Sequence, residues 1–195
     1  QGRFSYTYSA DFNRDGQNND LIYVPKDASE ITFSPIPAGT SGYARAYTAQ
    51  EQSDAFFAYI EQDDYLKNRK GQYAERNGAK MPWRNQFDIR LSQEVFKNIG
   101  KTKNTLQFTL DILNFGNLLN NEWGTVDFVN NSGILVPWNQ AANRSNTDYL
   151  VAGGNAKPVF RMASANGDIV KSSFGTSRTI SSTYYMQLGL RYSFQ

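Results

Sequence analysis

Asp11, Asn13 and Asp15 stand at alternate positions, with Gly16 directly after them and Asn18 and Asp20 just beyond. Oxygen-bearing side chains at every second residue can wrap a hard cation, and a glycine allows the sharp turn. Calcium loops begin this way. The helix–loop–helix form of that motif wants a bidentate Glu at its twelfth position, which here falls on Ile22. Asn18 or Asp20 would have to take its place. The same residue types also close turns on their own backbone without any ion. The stretch therefore carries two expectations. One is calcium on Asp11, Asn13, Asp15, Asn18 and Asp20; the other is an Asn/Asp/Gly turn that satisfies itself.

Most other site chemistry is excluded by composition. The chain has 195 residues, with no Cys and no His. Disulfides, thiolate zinc sites, Cys or His nucleophiles and His general bases are thereby removed. Asp63 and Asp64 are adjacent, and adjacent residues on a helix do not face each other, so they make no two-carboxylate site. Ser172 and Ser173 have no base near them in sequence. The expectation is that the chain is not an enzyme. A net charge of +2 is too weak to imply a nucleic-acid partner.

Four segments could position such residues. Each alternates with period 2, which in an extended chain sends successive side chains to opposite faces. In residues 3–9, Phe4, Tyr6 and Tyr8 alternate with polar residues. In residues 84–97 the apolar set is Phe87, Ile89, Leu91 and Val95, interrupted by Gln93. In residues 104–115 it is Leu106, Phe108, Leu110 and Ile112, and in residues 183–194 it is Tyr184, Met186, Leu188, Leu190, Tyr192 and Phe194. Apolar residues are only 39% of the chain but aromatics are 14%, which suits strands with one polar face. Each segment is about the 9–11 residues that a tilted strand needs to cross a membrane. No run of about 18 apolar residues exists for a membrane helix.

The connections are unequal. Strands two and three are joined by the short Lys97–Asn104, whereas residues 10–82 and 116–182 form long loops. Short turns at one end and long loops at the other is the plan of an outer-membrane barrel. Loops of that length suggest function. Within the first, Thr48 and Glu51 form a capping box for a helix over Ala49–Gln62, with Phe56, Phe57 and Ile60 as its apolar stripe. A second helical turn is expected before Gly71, and a short strand within Lys157–Ala163.

Trp83, Trp123, Trp138, Tyr43, Tyr47, Tyr65 and Tyr149 lie in or beside the loops. They could stack on a glycan or peptide, pack within the loops, or form an aromatic girdle at a membrane interface. A girdle is favoured for Trp83, beside a strand start. Asp88, Arg90, Glu94, Asp111 and Arg191 fall on polar strand faces. Ion pairing between strands is preferred there over a substrate-selective lumen.

Gln187, Gly189, Tyr192 and Phe194 end the last strand in a pattern that resembles the C-terminal assembly signal of bacterial outer-membrane barrels. The resemblance implies a strand read by the barrel-assembly machinery and paired with the barrel's first strand. Gln195, after the usual terminal aromatic, is a departure. Residues 77–96, 106–124, 158–162 and 184–195 together resemble the C-terminal end of a Bacteroidetes TonB-dependent receptor. The likeness is to the Oar-like kind with a carboxypeptidase-regulatory-like domain, near the SusC-like group. It implies an all-β fold: antiparallel transmembrane strands closing a 22-stranded barrel around a plug, with long, partly helical extracellular loops. It also implies nutrient uptake at the bacterial outer membrane. The partners would be membrane lipid, TonB through an N-terminal region absent here, the assembly machinery and a surface lipoprotein. The chain's opening in strand-like sequence is expected to be a cut end. With Phe194 periplasmic, antiparallel order puts Lys97–Asn104 in the periplasm and both long loops outside.

The alternative is a soluble β-sandwich that binds carbohydrate. It would bury Leu106, Phe108, Leu188 and Leu190 in a core, whereas a barrel wall would expose them. A stand-alone barrel is disfavoured because four strands fall short of the eight in the smallest ones. Their matching alternation and order in the chain make strands three and four expected neighbours in an antiparallel sheet, with Leu110 and Leu188 on one face.

Overall fold

The computed structural model describes residues 1–98, 104–139 and 157–194. The strands in chain order are β1 Arg3–Phe4, β2 Tyr23–Val24, β3 Thr32–Phe33, β4 Gln72–Tyr73, β5 Ala79–Lys80, β6 Ile89–Lys97 and β7 Asn104–Leu113. They continue as β8 Val126–Val129, β9 Leu135–Pro137, β10 Val159–Met162, β11 Ser164–Ala165, β12 Asp168–Ile169, β13 Phe174–Ser177 and β14 Tyr185–Phe194. Two α-helices accompany them, α1 Ala49–Gln62 and α2 Phe115–Leu119. Strands thus dominate the described residues. No described helix is long and apolar enough to cross a membrane, which leaves open a crossing by strands.

The chain divides into two units: Gln1–Pro82 with Val129–Gly175, and Trp83–Phe128 with Thr176–Gln195. In the first, α1 forms as its capping box predicts. Thr48 Oγ1 accepts from the Glu51 N–H at 3.0 Å, and the Glu51 carboxylate accepts from the Thr48 N–H at 2.7 Å. A helix of this length is marginal alone and depends on its packed face. That face is Gln52, Phe56, Tyr59 and Ile60, all buried, and burying Phe56 or Ile60 contributes ~1.5–3 kcal/mol each. The face lies on a three-stranded sheet in which β10 runs parallel to β3 and antiparallel to β9. Gln52 ties the two together. Its amide nitrogen donates to the Ser34 carbonyl at 2.7 Å, and its oxygen accepts from the Met162 N–H at 3.1 Å.

Residues 3–9 do not form one long strand. Only Arg3–Phe4 pairs regularly, with β5. Tyr6 and Tyr8 are buried in the first unit's core, and the ring of Tyr8 clusters with those of Phe12 at 4.3 Å and Phe160 at 5.5 Å, which also meet each other at 6.1 Å. The backbone bonds of this stretch go to three different segments: Thr7 N–H to Ser132, Tyr8 N–H to Asp20 and Ser9 N–H to Leu135. The alternation is real, but it serves a globular core rather than a single ladder. The expected loops 10–82 and 116–182 supply most of that core, from Ile22 and Val24 to Ile169 and Val170. The expected helical turn is a 3-10 turn, Leu66–Asn68, and the short strand is β10.

The second unit holds a sheet in the order β14–β7–β6, antiparallel throughout. Leu110 pairs with Leu188 on one side and Leu91 on the other, so all three share a face. The strands are shorter than expected at one end. Residues 84–88 stay outside β6, and β7 stops at Leu113 because Asn114 turns left-handed at φ 53°. A bulge between Glu94 and Phe96 shifts the register. Phe96, not Val95, therefore stands opposite Leu106, and Lys97 falls back to the polar side. Of the connection Lys97–Asn104, residues 99–103 lie outside the described ones, as do 140–156 and Gln195.

Candidate functional site

The β14–β7–β6 sheet has two unlike faces. One carries Met186, Leu188, Leu190 and Tyr192 from β14, Leu106, Phe108, Leu110 and Ile112 from β7, and Ile89, Leu91 and Phe96 from β6. Leu188 is 69% exposed and Leu190 72%, and neither Leu106 nor Phe108 is buried. The opposite face is polar and internally bonded. Arg90 grips Asp111 with two parallel bonds, Nε to Oδ1 at 2.5 Å and an Nη to Oδ2 at 2.7 Å. The Gln107 amide donates to Ser92 Oγ at 2.7 Å. Of the five charged residues placed on polar faces, Arg90 and Asp111 are thus brought into an ion pair. Arg191 and Glu94 lie opposite Gln107, one from each side. Asp88 instead accepts the Asn114 N–H at 2.8 Å and caps the strand end.

The four terminal-pattern residues divide between these faces. Gln187 and Gly189 pair with Asp111 and Thr109 on the polar side; Tyr192 and Phe194 belong to the apolar side. Gly189 leaves room for its neighbour, since a Cβ there would sit 2.4 Å from Thr109 Oγ1 and displace that hydroxyl. The rings of Tyr192 and Phe194 lie 5.9 Å apart, and Phe96 meets Tyr192 edge-on at 6.5 Å. These three gather aromatic surface at the end of the sheet that holds the Lys97–Asn104 connection.

The other end is also aromatic. Trp83, Phe87 and Trp123 line an open cleft of about 360 Å³ together with Arg84, Glu122 and Asp127. Asparagines build it. Asn114 Nδ2 donates to the Gly124 carbonyl at 3.2 Å, and Asn117 Nδ2 donates to the Asn121 and Trp123 carbonyls at 3.1 and 3.0 Å. Gly124 has φ 65°, and a Cβ on it would overlap the Asn114 amide. Asn114, Asn117 and Gly124 thus form a turn scaffold that presents Trp123.

In the first unit, the side chains of the Asp11–Asp20 loop bond to the loop's own backbone. Asp11 accepts the Asp15 and Gly16 N–H groups at 3.1 and 2.8 Å, and Asp15 accepts the Gln17 N–H at 2.8 Å. Asn13 Oδ1 accepts the Asp15 N–H at 2.9 Å. Asp20 accepts the Phe12 and Asn13 N–H groups at 2.6 and 3.0 Å, while Asn18 is exposed. Among the described residues no group of three or more Asp and Glu side chains gathers as metal ligands.

The flagged tyrosines pack internally. Tyr43 donates to the Met162 carbonyl at 2.7 Å, Tyr47 donates to Asp168, and Tyr65 stacks on Tyr6 and accepts the Glu75 N–H at 2.6 Å. Trp138 lies against the guanidinium of Arg161. Tyr149 lies outside the described residues.

Sequence reasoning missed the hub of this unit. Asp63 is only 5% exposed, and four donors converge on it. The hydroxyls of Tyr6 and Ser173 donate to Oδ2 at 2.5 Å each, and the N–H groups of Tyr65 and Leu66 donate to Oδ1 at 3.0 and 2.9 Å. Burial, then Tyr59 and the Asp63 carboxylate, hold the Tyr6 hydroxyl far above the ordinary tyrosine range. An acidic residue at a helix end followed by a second turn is a capping signal. Its distant partners leave no local trace.

Comparison with family models, curated proteins and solved structures yields no match to this chain.

Proposed function

We propose that the second unit is a stretch of outer-membrane β-barrel wall and that the chain belongs to a TonB-dependent uptake receptor. The observation that carries this is the three-stranded sheet, 9–10 residues per strand, with one exposed apolar face and one bonded polar face. A barrel wall needs strands of that length with apolar residues toward lipid and polar residues toward the lumen. Aromatic side chains at both ends of the sheet fit the two girdles of such a wall. The exposure of Leu188 and Leu190 counts against the soluble sandwich, which would bury them. Antiparallel order then puts the Lys97–Asn104 connection in the periplasm and the longer connections outside. The receptor assignment itself rests on the four resembling sequence blocks. In this reading ligand binds at the extracellular side, and TonB acts on a plug domain encoded elsewhere in the protein.

The test places a nitroxide at Leu188, Leu190, Gln107 or Arg191 of the intact protein in lipid vesicles. Relaxation by oxygen, which concentrates in lipid, should dominate at the two leucines. Relaxation by a water-soluble nickel chelate should dominate at Gln107 and Arg191. Equal chelate access at all four positions would sink the barrel reading.

A further inference from the structure

Arg161 sits in the middle of β10. On either side of it, Phe160 and Met162 are buried in the core of the first unit. Alternation therefore turns Arg161 to the other face of that sheet, where a charged side chain ordinarily meets water. Yet Arg161 is only 5% exposed. Its guanidinium carbon lies 3.5 Å from the centre of the Trp138 ring. The register explains the meeting. Arg161 pairs with Val136, so Trp138 occupies the diagonal position on the same face. The backbone N–H of Trp138 donates to the Val159 carbonyl at 2.8 Å and keeps the two strands paired at this point.

Stacking covers one flat side of the guanidinium and does nothing for its edge. Arg161 Nε has no hydrogen-bond partner, and no carboxylate of the described residues pairs with this side chain. Tyr43 is close enough to feel the charge, but it spends its proton on the Met162 carbonyl at 2.7 Å. Arginine cannot shed its proton at any ordinary pH. A buried cation with an unfilled donor edge is strongly unfavourable unless a counter-charge reaches it.

We propose that Arg161, backed by Trp138, anchors a binding site for a carboxylate-bearing ligand. The guanidinium edge and a carboxylate are both planar and match in a two-bond fork, with Trp138 fixing the plane of the fork. Arg161 supplies one positive charge, which a carboxylate balances. A phosphate dianion would carry a second, uncompensated charge into the same place. The site stands on the first unit alone and does not depend on the membrane assignment.

The experiment uses the intact protein with fluorinated tryptophan, its Trp138 signal identified by loss in Trp138→Phe. Acetate is titrated at fixed ionic strength, then phosphate. The expected result is a saturable shift of the Trp138 fluorine signal by acetate, at lower concentration than any effect of phosphate. Arg161→Met should keep the folded Trp138 environment, because it removes a buried charge rather than stranding one. It should weaken acetate at least about tenfold, the factor that hydrogen bonds to a charged group supply. Four outcomes overturn the proposal: no saturable acetate shift, an unchanged acetate response in Arg161→Met, tighter saturation by phosphate, or collapse of the Trp138 environment in Arg161→Met. The last would mean that a group of the chain itself balances the cation.

Discussion

Removing the charge of Asp63 should loosen the first unit by a measurable and local amount. The carboxylate takes two hydroxyl donors at 2.5 Å and two backbone donors at 3.0 and 2.9 Å. Asp63→Asn keeps an oxygen for the backbone pair but turns an amide N–H₂ toward Tyr6 and Ser173. Ser173 already receives a proton from Gln62 at 2.9 Å, so a second donor leaves its own hydrogen without an acceptor. Two bonds to a charged group, about 1.5–3 kcal/mol each, are lost. Relief of carboxylate desolvation offsets part of that. A net destabilisation of about 2–4 kcal/mol is expected, or roughly 4–16 °C at 2–4 °C per kcal/mol for a chain of this size. Asp63→Ala also strands the Tyr65 and Leu66 N–H groups and should cost about 3–5 kcal/mol. Amide hydrogen exchange in the intact protein reads this where it happens, since Tyr65 and Leu66 lose their acceptor. Pairing Asp63→Asn with Ser173→Ala should give a coupling of about 0.5–3 kcal/mol. If Asp63→Asn exchanges within about 0.5 kcal/mol of the parent at α1 and at Leu66, the carboxylate is not the hub described, and the reasoning fails.

Burial pushes the Tyr8 hydroxyl up to about 12. Below about pH 10 neither folded nor unfolded Tyr8 ionises, and its stabilisation is fully present. Above that the unfolded chain loses its proton first, so stability should fall by about 2–3 kcal/mol as pH rises through 12. Tyr8→Phe should flatten that part of an alkaline unfolding curve, and an unchanged slope would contradict the assignment. Asp11→Ala with Asp15→Ala should speed amide exchange at Asp15, Gly16 and Gln17, with calcium moving neither parent nor variant. A saturable calcium response in the parent that the variant loses would favour the cation reading of that loop. Phe194→Asp should reduce heat-modifiable, folded protein in outer membranes far more than Gln195→Asp. A charge near the interface costs only about 0–1 kcal/mol, so a large defect means lost recognition by the assembly machinery, and equal amounts for both would remove that role from Phe194.

What could be read from the sequence was local. Thr48 and Glu51 announced α1 because a capping box closes within four residues. The alternation of β7 and β14 survives in their ladder because one ladder satisfies both strands along their full length. The bulge after Glu94 was illegible, since a period-2 pattern cannot show one residue left over until a partner strand fixes the count. Phe4, Tyr6 and Tyr8 alternate like a membrane strand, but the partners of that stretch are Ser132, Leu135 and Asp20, which no spacing reveals. Asp63 and Arg161 were invisible as sites for the same reason. A charged residue reads as surface until distant chain buries it.

The first unit is closed by bonds between segments 110 to 121 residues apart: Gln52 to Met162, Asp63 to Ser173, Tyr47 to Asp168. Ribosomal synthesis delivers those partners late. After Pro82 emerges, roughly 90 further residues must follow before the unit's last segment exists. That is about 5–20 s at ~5–20 residues per second. During that interval Tyr6, Tyr8, Phe33, Phe56 and Tyr59 belong to a chain that cannot yet bury them. Long-range closure of this kind also slows folding itself, because loop entropy is lost before the rewarding bonds form. The nascent first unit is therefore a natural client for a holding chaperone until Val129–Gly175 arrives. Shortening the separation by circular permutation within unit one should speed its folding more than any single stabilising substitution.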